Sequence, residues 1–213
     1  MKLYTHALSP FSAKVRIALD EKGVACDEIS LPISRTAILE KPAELLAINP
    51  RGQVPALLDG ELALFDSTVI VEYLEERHPA PPLFPRGVAA RARARLLEEY
   101  GDGLMNGCIA DLLAETYRKP DRASWDAARI AEIGVAIRAA FDRLEAALGG
   151  RDHLCGEFGA ADVACYLPVR FAAFFGVPPG DEHPRLRAWL ERCAARPSIA
   201  REFASMSEAL KKL

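Results

Sequence analysis

Ser9-Pro10-Phe11-Ser12 places two hydroxyls where a short strand-like stretch hands over to a helical pattern. Serine at the N-cap with proline next is an ordinary helix start, and capping alone accounts for Ser9. The same position can also do chemistry. A helix N-terminus presents free N–H groups and a partial positive charge to an anion. A thiol held there ionises below its usual pKa of about 8.5. No cysteine occupies these four positions, so a thiolate must arrive with a ligand, and the Ser9 hydroxyl can donate to it.

Two further stretches fit the same kind of ligand. Val54-Pro55 opens a strand, which is a common place for proline. A cis bond there would also turn the Val54 N–H and C=O outward, as an edge for an extended peptide. Asp66-Ser67 ends a strand and starts a helix, and a plain cap explains Ser67. Yet a hydroxyl, helix N–H groups and a neighbouring carboxylate also make a receptor for an amino-acid head group. Its carboxylate would sit on the helix end and its ammonium near Asp66. Lys41 and Arg51 precede this region, where they need no explanation beyond solvated loop charges. Together the three stretches suit a short anionic peptide.

The elements that must position them are legible. Lys2–Thr5 reads as a strand, and the helix opened at Ser9 runs through Val15, Ala18 and Leu19 to Gly23. Cys26–Leu31 reads as a second strand, followed by an irregular stretch with a short helix around Ala43–Ala47. Pro55–Leu58 and Leu62–Phe65 flank Asp59-Gly60-Glu61 as a hairpin, because Asp-Gly suits the tight turn. Ser67 then caps a helix with Val69, Ile70, Tyr73 and Leu74 on one face. The order β-α-β-α-β-β-α brings all three stretches to the carboxyl ends of the parallel strands or beside them. Pro79–Pro85 cannot continue that helix and forms a stiff connector.

Beyond it the sequence is alanine-rich and helical, with helices expected at about 88–117, 125–148, 160–175, 184–195 and 198–210. The expected class is α/β plus all-α: residues 1–78 form the α/β domain, 79–86 the linker and 87–213 a helical domain. Gly101-Asp102-Gly103 follows no strand and lacks a glycine at the sixth position. It is therefore a site of close packing or a kink rather than a dinucleotide loop.

Composition narrows the function. The 213 residues carry 27 Lys/Arg against 30 Asp/Glu, a net charge of −3, without the excess of positive charge that nucleic acid demands. The five cysteines are widely spaced with no CxxC pair, which disfavours a disulfide framework or a metal site. The amino terminus lacks a signal-peptide pattern and no apolar run reaches membrane-spanning length, so a cytoplasmic protein without membrane association is expected.

Ser9-Pro10-Phe11-Ser12, with Val15-Arg16-Ile17-Ala18-Leu19 and Lys22-Gly23, resembles the soluble glutathione transferases, and so do Asn49–Pro55, Asp66-Ser67 and Glu72-Tyr73-Leu74. The likeness is specific over residues 1–80 and looser beyond. It implies a thioredoxin-like first domain, a helical second domain and a homodimer. It also implies glutathione as co-substrate, a small electrophile as its partner, and no metal. By position, Ser9 would stabilise the thiolate, as in the serine-type classes. Val54 would pair with the cysteinyl backbone before a cis Pro55, Asp66 and Ser67 would hold the γ-glutamyl group, and Lys41 would meet the glycyl carboxylate. Phe11 and Gln53 complete the glutathione set. Leu8 and Phe11 would face the second substrate from one side, and Leu104, Cys108 and Tyr117 from the other.

Departures are few. Asp66 stands where glutamate is more frequent, and Gly159 removes the hydroxyl half of a capping box whose other half is Asp162. Serine at both 9 and 12 disfavours disulfide exchange through a protein thiol. The stretch Glu72–Pro85 also resembles the stringent starvation protein A group, whose members bind without turnover. A glutathione-dependent isomerase of the maleylacetoacetate type, or a dehalogenase, shares the Ser9 position, although Pro10 and Phe11 replace its usual serine and cysteine. Arg91 and Arg95, with Glu98 and Asp102 further along, read either as a solvated stripe or as a face meeting acidic residues of a partner subunit.

Overall fold

β1 (Lys2–Thr5) buries Leu3, Tyr4 and Thr5, which point to both faces, so the strand lies inside a sheet. The computed structural model describes residues 1–32 and 41–212. After β1 come α1 (Pro10–Glu21), β2 (Asp27–Ser30), α2 (Ala43–Ile48), β3 (Ala56–Asp59), β4 (Leu62–Phe65) and α3 (Ser67–Arg77). The four strands lie in the order β2-β1-β3-β4. β1 runs parallel to β2 and antiparallel to β3, and β3 pairs antiparallel with β4. Part of the expected irregular stretch before α2 lies outside the described residues.

Tyr4, Leu31 and Ala56 meet Leu45 and Ile48 of α2, with Ile29, Val54 and Leu58 around them. Leu3 and Leu57, register partners with no exposure, point to the opposite face, where α1 packs on α3. α1 ends at Gly23, whose φ of +63° suits glycine, and the Val24 N–H closes back on Leu19 O. The connector after α3 is pinned by a buried cation. Lys22 Nζ lies 2.7 Å from Glu75 Oε2 and donates to the His78 and Pro81 carbonyls, while Glu75 Oε2 also accepts the Leu83 N–H.

The remaining helices are α4 (Val88–Leu104), α5 (Ala110–Glu115), α6 (Ala127–Leu148), α7 (Ala160–Phe174), α8 (Pro184–Ala194) and α9 (Pro197–Leu210). The chain divides into two compact units, Met1–Leu83 with Arg196–Leu213, and Phe84–Ala195. In the second unit α7 is buried over most of its length. Asp162 holds its start: one carboxylate oxygen accepts the Gly159 N–H, and the other accepts the Leu154 N–H and Trp189 Nε1. Burial pushes its carboxyl up, and these hydrogen bonds oppose that shift. Among the described residues no helix is long and apolar enough to cross a membrane.

Three expectations are corrected. The helix from 88 does not run unbroken to 117: Met105–Ile109 form a π-type turn in which Gly107 leaves helical geometry (φ −97°, ψ −113°). α9 lies in the first of the two compact units. There Arg196 and Arg201 of the α9 segment pair with Glu21 and Asp20 of α1, and Arg16 of α1 pairs with Glu202. The helix cap before α3 is Asp66, not Ser67. Finally, the stripe from Arg91 to Asp102 is not uniformly solvated, since Arg91 stacks over Phe84 at 5.2 Å and Glu98 is fully buried.

Candidate functional site

Strand register decides which of the candidate residues share a neighbourhood. Tyr4 pairs with Ala56, and Ala56 with Phe65. The carboxyl end of β1, the start of β3 and the end of β4 therefore lie side by side at one edge of the sheet. Ser9 follows the first, Val54-Pro55 precedes the second and Asp66-Ser67 follows the third. Three segments distant in sequence converge because β3 reverses direction between its neighbours.

Ser9 is the N-cap of α1, and its Oγ accepts the Ser12 N–H at 3.1 Å. The hydroxyl proton remains available for an anion beside the helix end. The turn that aims Ser9 is held by His6, which no sequence pattern marks. Its Nδ1 accepts the Leu8 N–H at 2.9 Å and its carbonyl accepts the Ser9 N–H at 3.0 Å. Burial lowers the His6 pKa to about 4, so the ring is neutral at pH 7 and can accept that bond.

Asp66 has φ +79°, the left-handed region that few residues other than glycine enter. Its Oδ1 accepts the N–H groups of Thr68 and Val69 at 3.0 and 3.4 Å. Capping in this way keeps the carboxylate at the helix end, with Ser67 buried directly behind it. Lys14 of α1 is 1% exposed and donates to Thr68 Oγ1 at 2.8 Å, tying the start of α3 to α1. No pattern signal marks Lys14, because a lysine in an amphipathic helix reads as solvated.

Val54-Pro55 is a cis peptide bond. The loop before it is built on Asn49, which is buried. Its Nδ2 donates to Gln53 O at 2.9 Å and its Oδ1 accepts the Arg51 N–H at 3.1 Å. Gly52 has φ +61°, and a Cβ there would lie 2.6 Å from Lys41 Cδ. Lys41 Nζ donates to Arg51 O at 3.3 Å, so the exposed lysine lies along this loop. Gln53 and Arg51 are exposed as well.

The expected second-substrate residues fall into both units. Leu8 and Phe11 are half-buried in the first. In the second, Leu104 ends α4, and Cys108 lies in the π-type turn with its Sγ 3.9 Å from Leu104 O. Burial pushes the Cys108 thiol up, so it is not a ready nucleophile. Tyr117 packs edge-on against Phe175 at 6.3 Å. Among the described residues no cluster of His, Cys, Asp and Glu is arranged to hold a metal ion.

Comparison with known proteins gives the family. The family profile "Glutathione S-transferase, N-terminal domain" matches residues 3–82, and "Glutathione S-transferase, C-terminal domain" matches residues 108–197. A maleylacetoacetate isomerase of Pseudomonas aeruginosa is 34% identical over 207 residues, 93% of each chain. A stringent starvation protein A homolog of Coxiella burnetii is 43% identical, but over only 97 residues, 46% of this chain and 44% of that one. Among solved structures, a glutathione S-transferase of Methylobacterium radiotolerans in complex with glutathione sulfonate superposes with a TM-score of 0.76 at 28% identity, covering 94% of this chain and 93% of its own. Cap, cis-proline turn and strand register thus sit in a chain matched across both of its units, and the chain belongs to the glutathione transferase family.

Proposed function

We propose that the protein conjugates glutathione to a small apolar electrophile, with the thiolate stabilised by Ser9 and the N-terminus of α1. The observation that carries this reading is the Ser9 cap, whose hydroxyl accepts within the helix and keeps its proton for an incoming anion. Glutathione lies along the Val54 edge before Pro55, with Phe11 and Gln53 beside it. Its γ-glutamyl carboxylate meets Ser67 and the helix end, and its ammonium meets the Asp66 carboxylate. Its glycyl carboxylate meets Lys41. Rate enhancement comes from thiol ionisation and proximity, without a protein nucleophile.

The protein acts as a homodimer in the cytoplasm, in a detoxifying role. The exposed apolar side chains Leu62, Phe65 and Val69 of the first unit, and Val88 and Leu96 of the second, support self-association. Five free cysteines suit a reducing compartment.

A second reading keeps the same thiolate but uses it for cis–trans isomerisation. The observation favouring it is the 34% identity to a maleylacetoacetate isomerase over nearly the whole chain. Steady-state assays with an aryl halide and with a maleyl-type substrate separate the two. Ser9→Ala is expected to lower turnover about 10- to 1000-fold while glutathione affinity changes little. A variant with wild-type rate and unchanged pH–rate profile would remove Ser9 from the mechanism. Glutathione retention without turnover on any electrophile would instead favour a binding role of the stringent starvation protein A kind.

A further inference from the structure

The Arg16 guanidinium of α1 has five N–H donors, and each has an acceptor. Nε and Nη2 fork onto the two carboxylate oxygens of Glu202 on α9, with Nε 2.9 Å from Oε2. The other donors reach three consecutive residues before Ser9. Nη1 donates to Thr5 Oγ1 and, at 3.4 Å, to the His6 carbonyl, and Nη2 donates to the Ala7 carbonyl at 3.4 Å. A guanidinium is a rigid plane, so a fork that fixes one edge also fixes the other. The orientation set by Glu202 is thereby passed to the turn between β1 and α1. It then reaches Ser9 directly, because the His6 carbonyl that accepts from Arg16 also accepts the Ser9 N–H at 3.0 Å.

Attachment of α9 does not account for this pair. The side chains of Arg16 and Glu202 are only 12% and 6% exposed, and a buried ion pair gains little over an apolar one. Arg196 and Arg201 already join the α9 segment to Glu21 and Asp20, at the far end of α1 from the turn. Two more titratable groups face Arg16. Burial and, after it, the Arg16 charge lower the His6 pKa and keep the ring that accepts the Leu8 N–H neutral. Burial pushes the Glu28 carboxyl up, Arg16 opposes that shift, and Glu202 adds to it.

We infer that Glu202 and Arg16 are positioning residues for the glutathione thiolate: the α9 carboxylate orients the guanidinium, and the guanidinium fixes where the Ser9 hydroxyl stands. This rests on the proposed role of Ser9. The test is titration of the protein-bound glutathione thiol by its ultraviolet thiolate absorbance, beside kcat and KM with an aryl halide across pH. Glu202→Gln keeps the shape and breaks the fork, and Arg16→Lys keeps the charge and loses the plane. Both should raise the pH at which the bound thiol ionises. At about pH 6.5 both should lower kcat about 10- to 100-fold, with a much smaller change in the KM for glutathione. Above about pH 9 the thiol ionises unaided, so both rates should approach the wild type, a recovery that a misfolded variant cannot show. Arg201→Gln, which breaks the α9 contact at the other end of α1, should leave ionisation and kcat unchanged. An equal effect of Arg201→Gln and Glu202→Gln would reduce the pair to attachment and overturn the proposal. Ser9→Ala in the same titration separates the two readings. If it leaves the thiol as in the wild type, the Ser9 reading falls and this proposal with it. If it moves the thiol while Glu202→Gln and Arg16→Lys do not, the positioning role alone is overturned.

Discussion

At the turn from β1 into α1, the neutral His6 ring accepts one N–H and its carbonyl another, and both bonds shape the approach to Ser9. Its pKa of about 4 lies below the ordinary value of 6.5, so the folded state excludes a proton that the unfolded chain binds. Stability is therefore complete above about pH 6.5 and falls as pH drops toward 4. His6→Asn keeps an acceptor for the Leu8 N–H and removes the titration. Urea midpoints measured between pH 7 and 4 should fall more steeply for the wild type than for the variant, and parallel curves would show that His6 does not titrate in this way. Lys22 offers a second test at this scale. Lys22→Met strands the buried Glu75 carboxylate and should cost about 3–5 kcal/mol, whereas the double change with Glu75→Met should recover part of that loss in the same measurement.

Gly101 lets α4 and α7 approach closely. A Cβ there would lie 2.5 Å from the Ala164 carbonyl oxygen, a backbone atom that cannot step aside. Alanine gains about 1 kcal/mol over glycine in a helix interior, but forcing α4 and α7 apart costs about 1–3 kcal/mol. Gly101→Ala should therefore lower the melting temperature. Gly103 lies in the same helix with nothing within 4 Å of its Cβ position, so Gly103→Ala should raise it. Changes of the same sign would refute the packing argument. The Met105–Ile109 turn leaves no mark in the hydrophobic pattern of this helix. Its apolar residues keep helical spacing through the break, and only the Gly107 backbone departs.

For the molecule as a whole, α9 returns to the first unit through three ion pairs with α1, two of them partly exposed and one, Arg16–Glu202, largely buried. Surface pairs contribute little singly, so Ile199 and Met206, both buried, carry most of the attachment. Assembly into a dimer is tested on the exposed apolar residues. Leu96 is 67% exposed on α4. Leu96→Glu should shift sedimentation toward monomer without lowering the melting temperature of the monomeric form. A variant that sediments with the wild type would remove this face from the contact.

The order of elements is legible in the sequence, because strand alternation, the Ser9-Pro10 start, Gly23 and the Asp59-Gly60 turn act over a few neighbours. The sequence also marks Ser9, Val54-Pro55 and Asp66-Ser67, whose residue types suit chain ends and turns wherever they occur. That these three segments share one edge became visible only in the register of Tyr4 with Ala56 and of Ala56 with Phe65. Tertiary structure also chose Asp66 over Ser67 as the cap, since the positive φ at Asp66 turns its carboxylate onto the Thr68 and Val69 amides. It buried Lys14 and Lys22, which local pattern assigns to solvent, by bringing Thr68 and Glu75 to them from more than fifty residues away. It took α9 from the helical run and placed it on α1, because Glu21 and Asp20 meet Arg196 and Arg201 there. Local signals set which segment is helix or strand, whereas burial and pairing depend on partners that the chain supplies only once it has folded.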